Sequence, residues 1–337
     1  MKLFGWPADQ GGCAWYRIIG PLESLLHSQP DVAIQIDQVM PLDVLDGDDW
    51  LVVLQRSTNP AAMMALEYFA EKGRKWVYDI DDLLWGLEKS NPAFGYYNQP
   101  VVQQRLKWHM ENAPICTAST ANLADEMRNN GAKNVHVLPN TLPQRVFDNI
   151  DTIVRETTAD DRTTIFWRGS PTHKDDIKVI KYALKRWANR DDVRIVLAGT
   201  DYRKELAVPN AEFLPWMNSP EEYLYSVARI RPDIALCPLK YNRFNDSKSH
   251  VNALEAAAVG AIPLCSNTFA YQSLIKDGEN GFLLPSSEHH WDRTLRTLVE
   301  ADHKDRGPLQ VAAVQSVNKF ITENWKDEYL DVYRTAF

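Results

Sequence analysis

The chain has 337 residues, with 37 Lys and Arg against 45 Asp and Glu, a formal net charge of −8. Hydrophobic residues at 45% and charged residues at 24% describe an ordinary globular chain, long enough for two domains with full cores. The acidic balance gives no general pull toward nucleic acid or an anionic membrane, and the apolar runs are too short for a signal peptide or a membrane span, so a soluble cytoplasmic protein is expected. Cys13, Cys116, Cys237 and Cys265 are widely spaced and form no Cys-x-x-Cys pair, which points to reduced thiols and no zinc site.

Short apolar runs alternate with helical patterns, which predicts parallel sheets covered by helices on both faces. In the first half, strands are expected at residues 2–6, 33–38, 50–55, 75–79, 115–118 and 135–138. Helical periodicity lies between them, at 16–27, 61–72, 99–112 and 121–129. The polar stretch 148–162 reads as a connection between domains. Then the pattern restarts: strand 164–167, helix 174–189, strands 193–198 and 211–213, helix 220–228, strand 234–237, a helix after Asp246, and strands 262–265 and 281–284. A last helix is expected over about 309–324.

Chemistry-bearing residues gather where these strands end. Gly11 and Gly12 follow the first strand and let a loop approach a ligand, although a plain turn accounts for them equally well. Trp15, Tyr16 and Arg17 come next, with Arg17 placed to face a cleft. Asp79, Asp81 and Asp82 form the densest acidic cluster. They read as a metal-binding Asp-x-Asp pair, as helix-capping acids, or as a site where Asp79 or Asp81 orients or deprotonates a hydroxyl. Arg168 and Gly169 end a strand, with His173 and Lys174 just beyond.

Residues 245–263 read as an amphipathic helix capped by Asp246 or Ser247 and stopped by Gly260 and Pro263. Lys248 and Glu255 are seven residues apart and share a face, roughly 10 Å apart along the axis. That spacing suits a nucleotide diphosphate, with phosphates beside Lys248 and a ribose diol on Glu255. A solvated surface helix is the competing reading.

This last segment resembles the nucleotide-sugar helix of the family-four-like GT-B glycosyltransferases (glycosyl transferases group 1), in which a Glu-x7-Glu motif runs into a small-residue helix and a Gly-x-Pro stop. Glu255 matches the second glutamate and residues 260–263 match the stop, while the first glutamate falls on Ser247. Residues 266–268 and 271–282 resemble the family's following segment. The likeness covers most of 160–337 and only loosely 1–150. It implies an α/β protein of two Rossmann-like domains facing across a cleft. Residues 1–150 are the acceptor side, with a tail of about 325–337 packing back on it, and 160–324 bind the nucleotide sugar.

The same resemblance implies a hexosyl- or pentosyl-transferase that moves a sugar from a nucleoside diphosphate sugar (of UDP, for example) to an acceptor hydroxyl with retention. No cofactor and no catalytic metal is implied. Arg168 and Lys174 match positions whose basic side chains hold the donor diphosphate, and with Lys248 at the helix entrance they are expected to stabilise it as it departs. Gly11, Gly12 and Gly169 line the donor site. Ser247, Lys248 or a backbone amide takes over from the missing glutamate, or the sugar differs. Trp216 lies in the segment that reads the base, where a core tryptophan is the expected reading and a stacking surface the alternative. The opening of the chain and residues 78–85 are similar to bacteriophage glycosyltransferases. This makes a hydroxymethylated DNA base one acceptor candidate beside a glycan, with Arg105, Lys107, Arg128 and Lys133 as a local basic patch. Ser247 also leaves open a nucleotide-sugar-binding or scaffold protein without transfer activity.

Overall fold

A computed structural model describes residues 1–336. Its twelve strands build two six-stranded sheets. The first holds Lys2–Trp6 (β1), Ala33–Ile36 (β2), Trp50–Gln55 (β3), Trp76–Ile80 (β4), Ile115–Ala118 (β5) and Val135–Val137 (β6), in the order β2-β1-β3-β4-β5-β6. The second holds Thr163–Gly169 (β7), Val193–Gly199 (β8), Glu212–Pro215 (β9), Ile234–Cys237 (β10), Ile262–Ser266 (β11) and Phe282–Leu284 (β12), in the order β12-β11-β10-β7-β8-β9. Every ladder is parallel. Such sheets are covered on both faces, which is why β3 and β10 read as unbroken apolar runs rather than as alternating ones.

Successive residues send side chains to opposite faces. In the first sheet Phe4, Val52, Leu54 and Tyr78 pack under Leu66, Phe69 and Leu106. Leu3, Leu51, Val53 and Val77 pack on the other face against Leu22, Tyr329 and Tyr333. The helix Lys326–Arg334 therefore lies on the first sheet although it comes last in the chain. The chain crosses between the halves twice, and the two crossings are bonded to each other. Leu142 N donates to Phe320 O (2.8 Å) and Thr322 N donates to Leu142 O (3.0 Å). Thr322 Oγ1 also donates to Thr141 Oγ1 (2.9 Å).

In each sheet the strand order reverses beside the first strand of that half, β1 or β7. Loops leaving the carboxyl ends on either side of such a point diverge and leave a crevice. The two crevices face each other.

The local structure departs from expectation in four places. The stretch 148–162 is not a bare connection, because the helix Gln144–Glu156 runs into it and buries Val146 and Ile150 in the second core. With Ile153 and Val154 these residues form an apolar stripe at helical spacing. The helix expected over 174–189 is a 3-10 segment, Asp176–Ile180, followed by Lys181–Trp187. The long helix expected after Asp246 is split into Arg243–Asp246 and Val251–Ala258. Asn242 caps the short turn, and Ser247 and Lys248 close it with bonds to Phe244 O and Asn245 O, so Lys248 sits on a bend ahead of the helix. The last expected helix is His303–Val317, followed by 3-10 turns. No helix among the described residues is long and apolar enough to cross a membrane.

Candidate functional site

The facing carboxyl edges enclose a cavity of about 540 Å³. From the first half come the loop after β1 (Asp9, Gly11, Gly12, Cys13), Tyr16, Arg56 after β3, Asp81 and Asp82 after β4, and part of the segment 84–97. From the second come Arg168 and Gly169 at the end of β7, His173, Gly199 at the end of β8, Trp216, and Lys248, Asn252 and Glu255.

Glu255 is the centre of the second-half wall. Its Oε2 accepts from Arg168 Nε (2.8 Å), with Arg168 Nη2 at 2.6 Å, and its Oε1 accepts from Tyr16 OH (2.9 Å). One carboxylate thus joins a tyrosine of the first half to an arginine of the second. Burial opposes the Arg168 charge, but Glu255, with Tyr223 and Tyr16, more than offsets it and holds the guanidinium's pKa above its ordinary value. Burial and the same carboxylate push the Tyr16 phenol up, so it remains a donor at neutral pH.

Lys248 Nζ lies 3.3 Å from Asp82 Oδ1 and 4.5 Å from the centre of the Phe244 ring. The cleft floor beside it is bare backbone. Gly169 and Gly199 are paired in register. Gly199 has φ +91°, and a Cβ there would lie 2.5 Å from Gly169 O. Only glycine adopts that backbone without strain, and it lets the ends of β7 and β8 pack closely at the cleft. Trp216 is 59% exposed and lines the cleft, so it is not the core tryptophan expected. His173 also lines it, with Nδ1 2.8 Å from Asp176 Oδ2. Burial lowers the His173 pKa and keeps the imidazole neutral at neutral pH.

The acidic cluster divides sharply. Asp79 is 2% exposed and does not line the cavity. Arg17 grips it with Nη2 to Oδ1 at 2.6 Å and Nε to Oδ2 at 3.0 Å, and Thr117 Oγ1 donates at 2.6 Å. Asp79 still belongs to β4 and points into that network, so the expectation of a catalytic Asp79 is corrected to a structural one. Arg17 is corrected with it. The helix spanning 12–28 contains a π turn, Trp15–Ile19, and there Tyr16 faces the cleft while Arg17 is buried.

Asp81, just past the strand, does line the cleft. Its Oδ1 has no hydrogen-bond donor among the described residues and lies 3.7 Å from Arg56 Nη1. Burial raises the Asp81 pKa, Arg56 partly offsets this, and Asp82 adds to it. Arg56, at φ +34°, also bonds Asp9 Oδ2 (2.6 Å) and Cys13 Sγ (3.2 Å). The donor atoms of Cys13, Asp81 and Asp82 lie within 4.8 Å of one another. Arg56 and Lys248 already compensate this group, which removes the main electrostatic argument for a cation there.

Two other expected residues lie off the cleft. Lys174 is exposed and does not line the cavity, and His173 occupies the wall in its place. Ser247 is 2% exposed, and its Oγ donates to Arg243 O (3.0 Å). Its carbonyl accepts from Thr120 Oγ1 (2.9 Å), so its side chain does not stand in for a glutamate. Gly11, Gly12, Arg168, Gly169, Trp216, Lys248, Glu255 and Asp81 all line the cavity. Arg56, Tyr223 and Tyr97 line it without having been singled out. Arg56 directly follows β3, and the strand-end rule alone identifies it. His109 stacks on Tyr78 at 4.6 Å, and burial pulls its pKa down to about 3, as suits a packing residue.

Residues 162–300 match the family described as Glycosyl transferases group 1. No curated protein matches the sequence. Among solved structures, the chain is similar to Anabaena Alr3699/HepE in complex with UDP-glucose, at 15% identity over 98% of this chain and 99% of that one, with a TM-score of 0.66. The same protein in complex with UDP gives 13% identity, coverage of 99% and 100%, and a TM-score of 0.67. A glycosyltransferase from Rickettsia africae gives 14% identity, coverage of 99% and 98%, and a TM-score of 0.63. The fold is GT-B, carried along the whole described chain by two parallel six-stranded sheets.

Proposed function

We propose that the protein is a glycosyltransferase that moves a sugar from a nucleoside diphosphate sugar to an acceptor hydroxyl with retention. The observation that carries this reading is the second-half wall. Arg168, Lys248 and Glu255 converge on a glycine-floored crevice at the carboxyl ends of β7 and β8, within the segment that matches the glycosyltransferase family. A UDP complex of a protein with the same fold supports a diphosphate as the occupant.

In this reading Arg168 and Lys248 meet the diphosphate, and their charge counts most as the anomeric C–O bond breaks and its electron pair moves onto the leaving phosphate. Glu255 holds the ribose, and the exposed face of Trp216 stacks on the base. Asp81 accepts the hydrogen bond of the acceptor hydroxyl and takes its proton as the acceptor oxygen bonds to the anomeric carbon from the face that the leaving phosphate vacates, which retention requires. Its raised pKa suits that role. Enclosure between the halves excludes water and suppresses hydrolysis of the donor.

The test is a thermal-shift and calorimetry screen with UDP, GDP, ADP, TDP and their sugars, followed by turnover with and without chelator. Stabilisation by one nucleotide and chelator-resistant transfer are expected. Silence toward every nucleotide overturns the reading. The orientation of Ser247 favours a second reading, a nucleotide-sugar-binding protein that does not transfer. Donor binding with neither transfer nor hydrolysis on a broad acceptor panel selects it.

A further inference from the structure

The acceptor side of the cleft has a chemistry of its own, and the inference drawn from it rests on the donor reading above. Three features meet there, and a fourth lies outside the cleft. Asp81 is 7% exposed and lines the cavity, and its buried Oδ1 accepts no hydrogen bond among the described residues and lies 3.7 Å from Arg56 Nη1. Past it, the segment between β4 and the helix Pro100–Asn112 lines the cavity with Leu84, Leu87, Ala93 and Tyr97, relieved only by Asn91. The segment is pinned in place: Tyr96 OH lies 2.7 Å from Thr58 Oγ1, and Gln103 Nε2 donates to Tyr97 O (2.6 Å).

The third feature is charge. The side-chain cations on this wall are already engaged. Arg56 is held by Asp9, Cys13 and Asp81, and Lys248, reaching over from the second half, is assigned to the donor diphosphate in the reading above. An entering phosphate or carboxylate would find the carboxylates of Asp9, Asp81 and Asp82 around it and would have to break an ion pair to gain a partner. The fourth feature lies outside the cleft. Arg105 Nη1 donates to Thr58 O (2.9 Å), Arg128 pairs with Asp125 (2.7 Å), and Lys107 lies 3.5 Å from Glu111. Carboxylates thus compensate two of the four basic residues of this patch, Lys107 and Arg128, which weakens the track that binding a nucleic-acid backbone requires.

We infer that the acceptor is an uncharged hydroxyl compound bearing an apolar or aromatic group next to the reacting hydroxyl's ring, as in an alkyl or aryl glycoside. The hydroxyl bonds to Asp81 and the apolar group packs on Leu84, Leu87 and Tyr97. A hydroxymethylated base within DNA is the disfavoured alternative.

Binding is measured by calorimetry and saturation-transfer NMR on the full chain, saturated with the diphosphate selected by the screen above. The probes are 4-nitrophenyl glucoside, octyl glucoside below its micelle concentration, glucose, glucose 6-phosphate, and an oligonucleotide containing hydroxymethylcytosine. The two glucosides are expected to bind about tenfold more tightly than glucose, and the charged probes more weakly than glucose. Tyr97→Ala and, independently, Leu87→Asn should each erase most of that preference while leaving diphosphate affinity unchanged, which also shows that the variants fold. Equal affinity for glucose and its apolar glycosides overturns the inference, as does tighter binding of glucose 6-phosphate or the oligonucleotide, or full glucoside affinity in both variants. In each of those cases the donor reading stands. Failure of every diphosphate to bind overturns the donor reading and removes this inference with it.

Discussion

The two halves repeat one plan, six parallel strands with a reversal of order beside the first, yet their carboxyl edges carry opposite character. The first edge gathers Asp9, Asp81 and Asp82 around one arginine. The second presents Arg168, Lys248 and bare glycine backbone around one glutamate. The shared fold determines where the loops meet, and a handful of loop side chains determine what meets there. The contrast recurs within β4 and its exit, where Asp79 and Asp81, two residues apart, serve structure and cleft respectively.

The strongest way to break that contrast is Asp79→Ala. It strands the Arg17 guanidinium in the interior and should cost about 3–5 kcal/mol in denaturant unfolding. A loss of activity without a loss of stability would return Asp79 to the cleft. On the second edge, Arg168→Ala should lower turnover by about 10²–10³-fold while changing donor affinity less, read from kcat against donor Kd.

Asp81→Asn should lower turnover by about 10²-fold and move the other way in stability. The folded pKa of Asp81 lies above its unfolded value. The native state therefore binds more protons across the interval between the two, and stability falls as pH rises through it. Above the folded pKa the penalty is fully present, so the asparagine variant should melt higher there, and the gain should vanish well below the unfolded carboxyl value of about 4, where the carboxyl is protonated in both states. A lower melting temperature at neutral pH would instead show the Arg56 contact to be the stronger effect.

Glu255→Ala should weaken donor binding by about tenfold, and unchanged affinity would remove the ribose role. Lys174→Ala should leave turnover and stability near wild type, because its side chain stands in solvent outside the cleft. A large effect there would mean that the donor reaches past His173.

The strands were legible because each is a short apolar run closed by polar or glycine residues, and the parallel arrangement follows from the helical patterns between them. The lost detail has one physical source, the competition between local propensity and distant partners. Nothing near Asp79 in sequence reveals that Arg17 lies against it, since their positions are 62 apart. The π turn that places Tyr16 on the cleft and Arg17 in the core leaves no periodic signature of its own. Residues 245–263 read as one helix because Val251, Leu254 and Ala258 share an apolar stripe, but the short turn that Asn242 caps at its start closes at Ser247 and Lys248, which puts Lys248 on a bend. Trp216 is apolar and large, which favours burial on average, and its placement at the exit of β9 overrides that average.

The paired crossings near residues 142 and 321 have a mechanical consequence. A single peptide crossing would let one half swing and twist about several axes. Two crossings bonded side by side act as the two pins of a door hinge. Twisting about the long axis of the molecule would shear the Leu142–Phe320 and Leu142–Thr322 bonds, whereas opening and closing about the line through them leaves both intact. The edge of the door is then the cleft, where Tyr16 meets Glu255 and Lys248 meets Asp82, and those contacts serve as its catch.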